Sequence, residues 1–331
     1  MKPPKLSIII PSLNQGQYLG KAIESILEQQ YPAVELLIID GDSSDDTVEV
    51  IKRYDRHIAY WVSEADNGQS DAINKGLAQA TGEIINWLNS DDYYCPGALG
   101  AIAKAFTAKD ALCVCGVTRV FGNGQDRTKH SYVNPESLKD TLCNLLIEQP
   151  ATFFRKEIFD KFGGVAVDLS YVMDRDLWLR FLGTYGLDRI VSVNETLVNF
   201  RHHENSKTVS QGDAFVPEYA ALLYHFCQNS ELRDLLRQAS GDQFERIHLE
   251  GRENVLGTEI VNVMVVSFLI KYARNLSRIG KPELSREVLN RIDFSIYGLG
   301  KKEWKWLWQL SLASEGYVFG MIKYIGRRYF R

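Results

Sequence analysis

A chain of 331 residues, 45% of them hydrophobic, can bury a full core, which excludes disorder as its default and suggests one large domain with an appendage, or two domains. A formal net charge of -4, with no long Lys/Arg run in the first 300 residues, gives no reason to expect a nucleic-acid partner. The five cysteines (Cys95, Cys113, Cys115, Cys143, Cys227) hold no CxxC pair, which excludes a disulfide framework and a zinc knuckle and points to reduced, buried thiols in a cytoplasmic protein.

In chain order, MKPPKLSIIIP offers only a short apolar run before Pro11, too short for the apolar part of a signal peptide. Residues 6–10 form a continuous β-rich run, and residues 17–29 carry Leu19, Ile23, Ile26 and Leu27 at helical spacing. Residues 34–39 read as a second buried strand, 45–54 as a helix, 58–62 as a third strand, 70–80 as a helix and 83–88 as a fourth strand. Strand and helix in alternation imply right-handed crossovers, hence a doubly wound α/β domain with a mainly parallel sheet. From residue 111 the pattern is strand-rich and mixed: 112–121, a hairpin-like stretch through FGNGQD, 152–154 and 190–200, with a helix over 177–185 that Gly186 stops. Beyond Gln211 the chain reads as helical to its end, which places a boundary near residue 212 between a 1–212 domain and a 213–331 helical region. The richest apolar stretch, 260–270, is interrupted by Asn262 and Ser267 and falls short of the ~20 residues a spanning helix needs, so no segment is expected to cross a bilayer.

Ligands of an open parallel sheet bind at the carboxyl ends of its strands, so the joints PSLNQ, DGDSSDDT, SEADNGQSDAINKG and NSDD belong together. Three of the four are acidic, which suits an anionic nucleotide only where a divalent cation bridges the two. Ser43, Asp45 and Asp46 directly precede a helix and are expected to cap it. Asp40 ends its strand, where a carboxylate can accept hydrogen bonds from a nucleobase. Asp91 and Asp92 follow a buried strand and precede Pro96, and their mutual repulsion favours a metal partner. Trp87, Trp178 and Phe181 stand at core spacing beside apolar neighbours and are expected to pack in the core.

Six segments in this order, SIIIPSLNQGQYLGKAIESIL, IDGDSSDDT, GQSDAINKGLAQATGEIINWLNSDD, QPATFFRKEIFDKFGG, MDRDLWLR and FRHHENSKT, resemble the successive signatures of family 2 glycosyltransferases with the GT-A fold, over residues 6–208. The resemblance implies a nucleotide-binding half over about 1–110 and a mixed-strand, acceptor-facing half over about 111–212. It implies transfer of a sugar, with inversion, from a nucleotide-diphosphate donor, usually UDP-linked, to a hydroxyl acceptor in a surface polysaccharide or lipid-linked glycan. By position, Pro11, Ser12 and Asn14 are expected to touch the nucleoside and Asp40 to read the base. Gly68 and Asp71 are expected beside the nucleotide and donor sugar, and Ser90 and Asp92 at the donor. Asp91 is the expected ligand of a divalent metal, Mn2+ or Mg2+, with His203 helping to hold metal or diphosphate, and Asp174 is the expected general base. Two positions depart from the pattern: Asn89 replaces the first DxD carboxylate and offers only a carbonyl oxygen, and Met173 stands where a Glu is expected before the base.

Displacing a nucleoside diphosphate builds negative charge that a divalent ion stabilises, while a carboxylate activates the attacking hydroxyl. A sugar-phosphate nucleotidyltransferase shares the core but needs a Gly-rich phosphate loop with Arg and Lys, which PSLNQGQY lacks. A catalytically weak or inactive sugar-nucleotide-binding protein is the remaining reading, and Asn89 and Met173 are its arguments. Asp176 has a structural task available, since Arg180 lies four residues on. Residues 301–331 carry seven Lys/Arg against Glu303 and Glu315, interleaved with Trp304, Trp306, Trp308, Tyr324, Tyr329 and Phe330. That composition suits peripheral contact with the headgroups of an anionic membrane as well as a terminal helix packed on its own domain.

Overall fold

The apolar run that opens the chain is buried along its whole length as β1 (Leu6–Ser12), in the interior of a sheet where both faces are covered. The structure, a computed structural model, describes residues 2–107, 110–249 and 255–293. After β1 come α1 (Gly16–Leu27), β2 (Val34–Asp40), α2 (Thr47–Arg53), β3 (Tyr60–Ser63), α3 (Gln69–Gln79), β4 (Ile84–Trp87), β5 (Tyr93–Tyr94) and α4 (Ala98–Ala105). β6 (Cys113–Gly122) and β7 (Gln125–His130) form the hairpin expected around FGNGQD. There follow α5 (Leu138–Cys143), β8 (Thr152–Arg155), α6 (Lys156–Phe162), α7 (Met173–Tyr185), β9 (Ile190–Arg201) and α8 (Lys207–Ser210), then α9 (Phe215–Phe226), α10 (Ser230–Ser240), α11 (Thr258–Arg278) and α12 (Pro282–Arg291).

The sheet runs β3-β2-β1-β4-β8-β6-β9-β5, with β7 paired to β6. β3, β2, β1 and β4 are parallel, as the helical crossovers between them require, whereas β8 is antiparallel to both β4 and β6. This is the α/β architecture read from the sequence, with mixed strands in the second half. Side chains alternate across β1: Leu6, Ile8 and Ile10 join Leu19, Ile23 and Ile26 of α1 in one core cluster. Ile9 faces the opposite helix so closely that a Cβ on Gly76 of α3 would lie 2.5 Å from its Cγ2. A buried carboxylate anchors the amino end of this layer. Glu35 accepts hydrogen bonds from the Ser7 hydroxyl, Thr81 N–H (2.6 Å), Thr81 Oγ1 (2.7 Å) and Gly82 N–H (3.0 Å), and pairs with Lys5. Burial pulls its carboxyl up, but these donors outweigh that and hold it at about 2.

The chain separates into two compact units: Met1–Tyr132 with Leu146–Ala214, and Val133–Leu145 with Phe215–Arg331. Nothing in the sequence marked Val133–Leu145, which carries α5, as part of the second unit. Its α5 packs on α11, where Cys143 C=O accepts from Ser267 Oγ (3.2 Å) and Lys271 Nζ (2.9 Å). The helix α11 is longer than the apolar stretch suggested, 21 residues, enough by length and composition alone to cross a membrane. Its Val261, Val265, Leu269 and Ala273 are buried in its own unit, as in the core helix of a bundle. The basic, aromatic segment 301–331 lies outside the described residues.

Trp178 and Phe181 are fully buried and stacked at 5.6 Å, and Trp87 packs edge-on against Phe159, so all three serve the core as their spacing indicated. Cys113, Cys115 and Cys227 are buried thiols, while Cys95 and Cys143 are only partly buried. The helix expected over 177–185 begins earlier, at Met173, which is buried. Asp174 and Asp176 therefore lie inside the first turn of α7, not in front of it.

Candidate active site

The joints after β1 and β2 meet at the carboxyl edge of the parallel strands and are tied to each other by hydrogen bonds. Asn14, at φ +53°, donates its N–H to Ser43 Oγ (2.7 Å), and its Oδ1 accepts from Ser44 N–H (2.9 Å). Asp45 accepts from Gly16 N–H at Oδ2 (3.0 Å) and Thr47 N–H at Oδ1 (3.0 Å), so one carboxylate satisfies the exposed donors of both α1 and α2. The capping expectation is corrected for its neighbours. Asp46 makes no side-chain cap, and Ser43 donates to Asp40 instead of capping α2.

Asp40 is fully buried, and its two oxygens receive the Ser43 hydroxyl, Ser43 N–H (3.0 Å) and Ser63 Oγ (2.6 Å). A base-reading role would compete with those donors; what Asp40 does within the chain is shape the loop after β2. Pro11 is buried in β1 opposite Ile39. Ser12, 5% exposed, ends that strand with a hydroxyl that has no hydrogen-bond partner among the described residues. A buried orphan hydroxyl at a strand's carboxyl end is a ready contact for a bound ligand. Gly68 enters α3 at φ +102°, a conformation that L side chains rarely adopt. Asp71 faces back over the start of α3, where Asn67 N–H donates to its Oδ2 (3.0 Å).

In the NSDD turn the two carboxylates part company. Asp91 is partly open and its Oδ2 lies 2.9 Å from His203 Nε2, a pairing across 112 residues. Asp92 is buried, with Oδ1 accepting Arg201 N–H (2.9 Å) at the end of β9. Burial and the neighbouring Asp91 charge push the Asp92 carboxyl well above the usual carboxylate range. That bond fixes the strand end that delivers His203. Ser90, which precedes them in the turn, is also buried. Asn89 is also otherwise engaged, since its Oδ1 accepts from Gln69 Nε2 (2.7 Å). The carbonyl oxygen expected to join a ligand shell thereby also bridges the turn to α3.

His203, not His202, faces the acidic turn, because β9 ends at Arg201 and His202 N–H is held by Phe121 C=O (2.7 Å). Tyr18 packs against the His203 ring at 4.9 Å. Arg201 stacks between Tyr18 and Phe121, each 4.9 Å from the guanidinium carbon, and donates to Asp91 C=O (3.2 Å). Lys207 donates to Gln69 Oε1 (2.9 Å), extending the Gln69 bridge to α8. Tyr18, Gln69, Arg201 and Lys207 were not singled out in the sequence, although all four lie inside the segments SIIIPSLNQGQYLGKAIESIL, GQSDAINKGLAQATGEIINWLNSDD and FRHHENSKT, which was the one signal available.

Among the described residues no group of three or more His, Cys, Asp and Glu side chains gathers as a metal cage. The Asp91 carboxylate and His203 imidazole still suit a divalent cation that completes its shell with phosphate oxygens and water, as magnesium and manganese do in nucleotide sites.

Asp174, in the first turn of α7, is partly exposed, and its Oδ1 accepts Arg175 N–H (2.8 Å). Burial by the surrounding protein pushes its carboxyl up, against the opposing pull of the Arg175 charge. Asp176 has the task the sequence offered it. Its Oδ2 receives Arg180 Nη2 (2.6 Å) and Nε (3.0 Å) in a buried ion pair, and Arg180 also donates to Phe162 C=O (3.0 Å) and Gly164 C=O (3.1 Å).

A doubly wound sheet that becomes mixed beyond β4, with an acidic turn and a histidine converging at its carboxyl edge, defines a glycosyltransferase of the GT-A type. The family described as Glycosyl transferase family 2 matches residues 7–167. A protein of Rickettsia typhi named an uncharacterized glycosyltransferase is 30% identical over 258 residues, covering 70% of this chain and 74% of that protein. The chain belongs to glycosyl transferase family 2. The same fold occurs in S. aureus TarS 1-349 in complex with UDP-GlcNAc, at TM-score 0.58 and 16% identity over 86% of this chain and 90% of that one. It occurs also in a mannosyltransferase from Pyrobaculum calidifontis in complex with GDP-Man and Mn2+, at TM-score 0.57 and 16% identity over 98% of this chain and 86% of that one.

Proposed function

We propose that this glycosyltransferase takes a sugar from a nucleoside-diphosphate donor, UDP-linked in the first instance, and transfers it with inversion to a hydroxyl of a glycan or lipid-linked glycan at the cytoplasmic side of a membrane. The observation that carries the reading is the Asp91–His203 pair at the end of β4, beside the orphan hydroxyl of Ser12 at the end of β1. Pro11, Ser12 and Asn14 would line the nucleoside, with Asp40 behind them, and Gly68, Asp71 and Ser90 would flank the diphosphate and sugar. A divalent cation held by Asp91, His203 and the donor's phosphates would neutralise the charge that develops on the departing diphosphate. The anomeric carbon gains a bond to the acceptor oxygen as its bond to the phosphate oxygen breaks. The electron pair leaves with the nucleoside diphosphate, and the acceptor's proton passes to Asp174. A raised carboxyl suits that base, since it holds the proton more firmly than an ordinary aspartate.

Incubation with a panel of UDP- and GDP-sugars, with and without Mn2+ and a chelator, tests the reading, with the anomeric configuration of the product read by NMR. Metal-dependent release of nucleoside diphosphate and an inverted product are expected. A retained configuration refutes the single-step mechanism, and nucleotide binding without turnover points to the sugar-binding role for which Asn89 and Met173 argue.

A further inference from the structure

Two amides stand beside the acidic turn, and neither has a task in that scheme. Gln69 opens α3 directly after Gly68, and Asn89 opens the NSDD turn, whose backbone closes with Asp92 N–H on Asn89 C=O (3.1 Å). Their side chains form one chain of hydrogen bonds. Lys207 Nζ donates to Gln69 Oε1 (2.9 Å), Gln69 Nε2 to Asn89 Oδ1 (2.7 Å), and Asn89 Nδ2 to Asp92 Oδ2 in the longest link, 3.5 Å. An ammonium only donates, so Gln69 turns its oxygen to Lys207 and its NH2 to Asn89. Asn89 receives that NH2 at oxygen and has its own NH2 left for Asp92. The direction of every link is therefore set from the Lys207 end.

Both ends of this chain grip the segment that carries His203. Ahead of the histidine, Asp92 Oδ1 accepts Arg201 N–H (2.9 Å). Behind it, the turn to Lys207 is closed by Ser206, whose N–H (3.0 Å) and Oγ (2.8 Å) both donate to His203 C=O. Asp91 stands in the same turn as Asn89 and Asp92, with Oδ2 2.9 Å from His203 Nε2. The carboxylate and the imidazole are thus framed on both sides by one connected set of bonds. We propose that Gln69 and Asn89 are positioning residues that hold Asp91 and His203 at the spacing a divalent cation takes, and that position 89 works as an amide because it must accept from Gln69 and donate to Asp92 at once. A carboxylate there could accept but not donate, and it would set an oxygen toward an oxygen of Asp92. This inference rests on Asp91 and His203 as the metal pair.

The test uses the full chain with Lys207→Met, Gln69→Leu and Asn89→Asp. In the 15N spectrum of the metal-free protein, the side-chain amide signal of Asn89 is recognised by its absence in Asn89→Asp. It is expected to move in Lys207→Met, a change that reaches it through Gln69. Mn2+ affinity in the presence of UDP, read by electron paramagnetic resonance, should fall about tenfold in Gln69→Leu and in Asn89→Asp, the worth of one hydrogen bond to a charged group. The direction is the decisive part, since the first variant frees an oxygen for the metal and the second adds a carboxylate. Lys207→Met should cost a similar factor alone and little more on top of Gln69→Leu, because both cut the same chain. Thermal unfolding of the metal-free variants should stay close to the parent, and Lys207→Met, altered at an exposed side chain, keeps the test standing if an amide variant melts early. The proposal is overturned if Gln69→Leu or Asn89→Asp binds Mn2+ as tightly as the parent, if the Asn89 signal ignores Lys207→Met, or if the Lys207 and Gln69 losses simply add. A parent that binds UDP without Mn2+ would overturn the metal reading of the site and this inference with it, whereas the other failures leave that reading standing.

Discussion

Replacing each aspartate of α7 by its amide separates the general base from the scaffold. Among the described residues Asp174 accepts Arg175 N–H, a bond that an asparagine oxygen can keep, so Asp174→Asn should fold normally. Losing a general base costs typically 10²- to 10⁴-fold in rate, about 3–5 kcal/mol of barrier at 1.36 kcal/mol per decade. Asp176 presents the opposite case. It is fully buried, and Arg180 directs both Nε and Nη2 at its Oδ2. The amide leaves the Arg180 charge uncompensated in the interior, and breaking such a pair costs about 3–5 kcal/mol of stability. Arg180 retains Phe162 C=O and Gly164 C=O, which places the expected loss toward the lower figure. Single-turnover rates with saturating donor, beside thermal unfolding of each variant, distinguish the two effects. Asp174→Asn should lose turnover at unchanged melting temperature, with UDP and Mn2+ still bound, and Asp176→Asn should melt early but turn over when kept cold. An active Asp174→Asn beside a stable, inactive Asp176→Asn would refute the assignment.

Four further outcomes are expected. In Asp91→Ala, Mn2+ with UDP should no longer raise the melting temperature, and turnover should vanish with the metal response; activity that persists in a chelator would sink the metal assignment. The acid limb of kcat/KM should lie above the ordinary aspartate value of 3.8, since the raised Asp174 carboxyl must be ionised to act and rate is lost as pH falls through it. Glu35 is held at about 2 against an ordinary 4.5, so its stabilisation of about 3 kcal/mol is present above pH 4.5 and lost as pH falls toward 2. Denaturant unfolding of Glu35→Gln should therefore show a deficit at pH 7 that shrinks at pH 3. Residues 301–331 should carry the chain onto anionic vesicles by their cations and aromatic rings, and equal flotation of a version ending at Leu299 would dismiss that idea.

The strands and helices that build the nucleotide-facing half are legible because each buries a periodic face. The alternation of Leu6, Ile8 and Ile10 against Ile9, and the helical spacing of Leu19, Ile23 and Ile26, leave one way to hide apolar surface. The ordered motifs added the family, and the spacing of Asp176 and Arg180 on one helix face announced their pairing. Side-chain partners across long sequence gaps had no such local signature. The Ser63 donor on Asp40 and the Gln69 donor on the Asn89 oxygen both come from across such gaps. Only the packing of the folded sheet decides such pairs, since it brings Asp91 to His203 across 112 residues and leaves no spacing in the sequence to announce the contact.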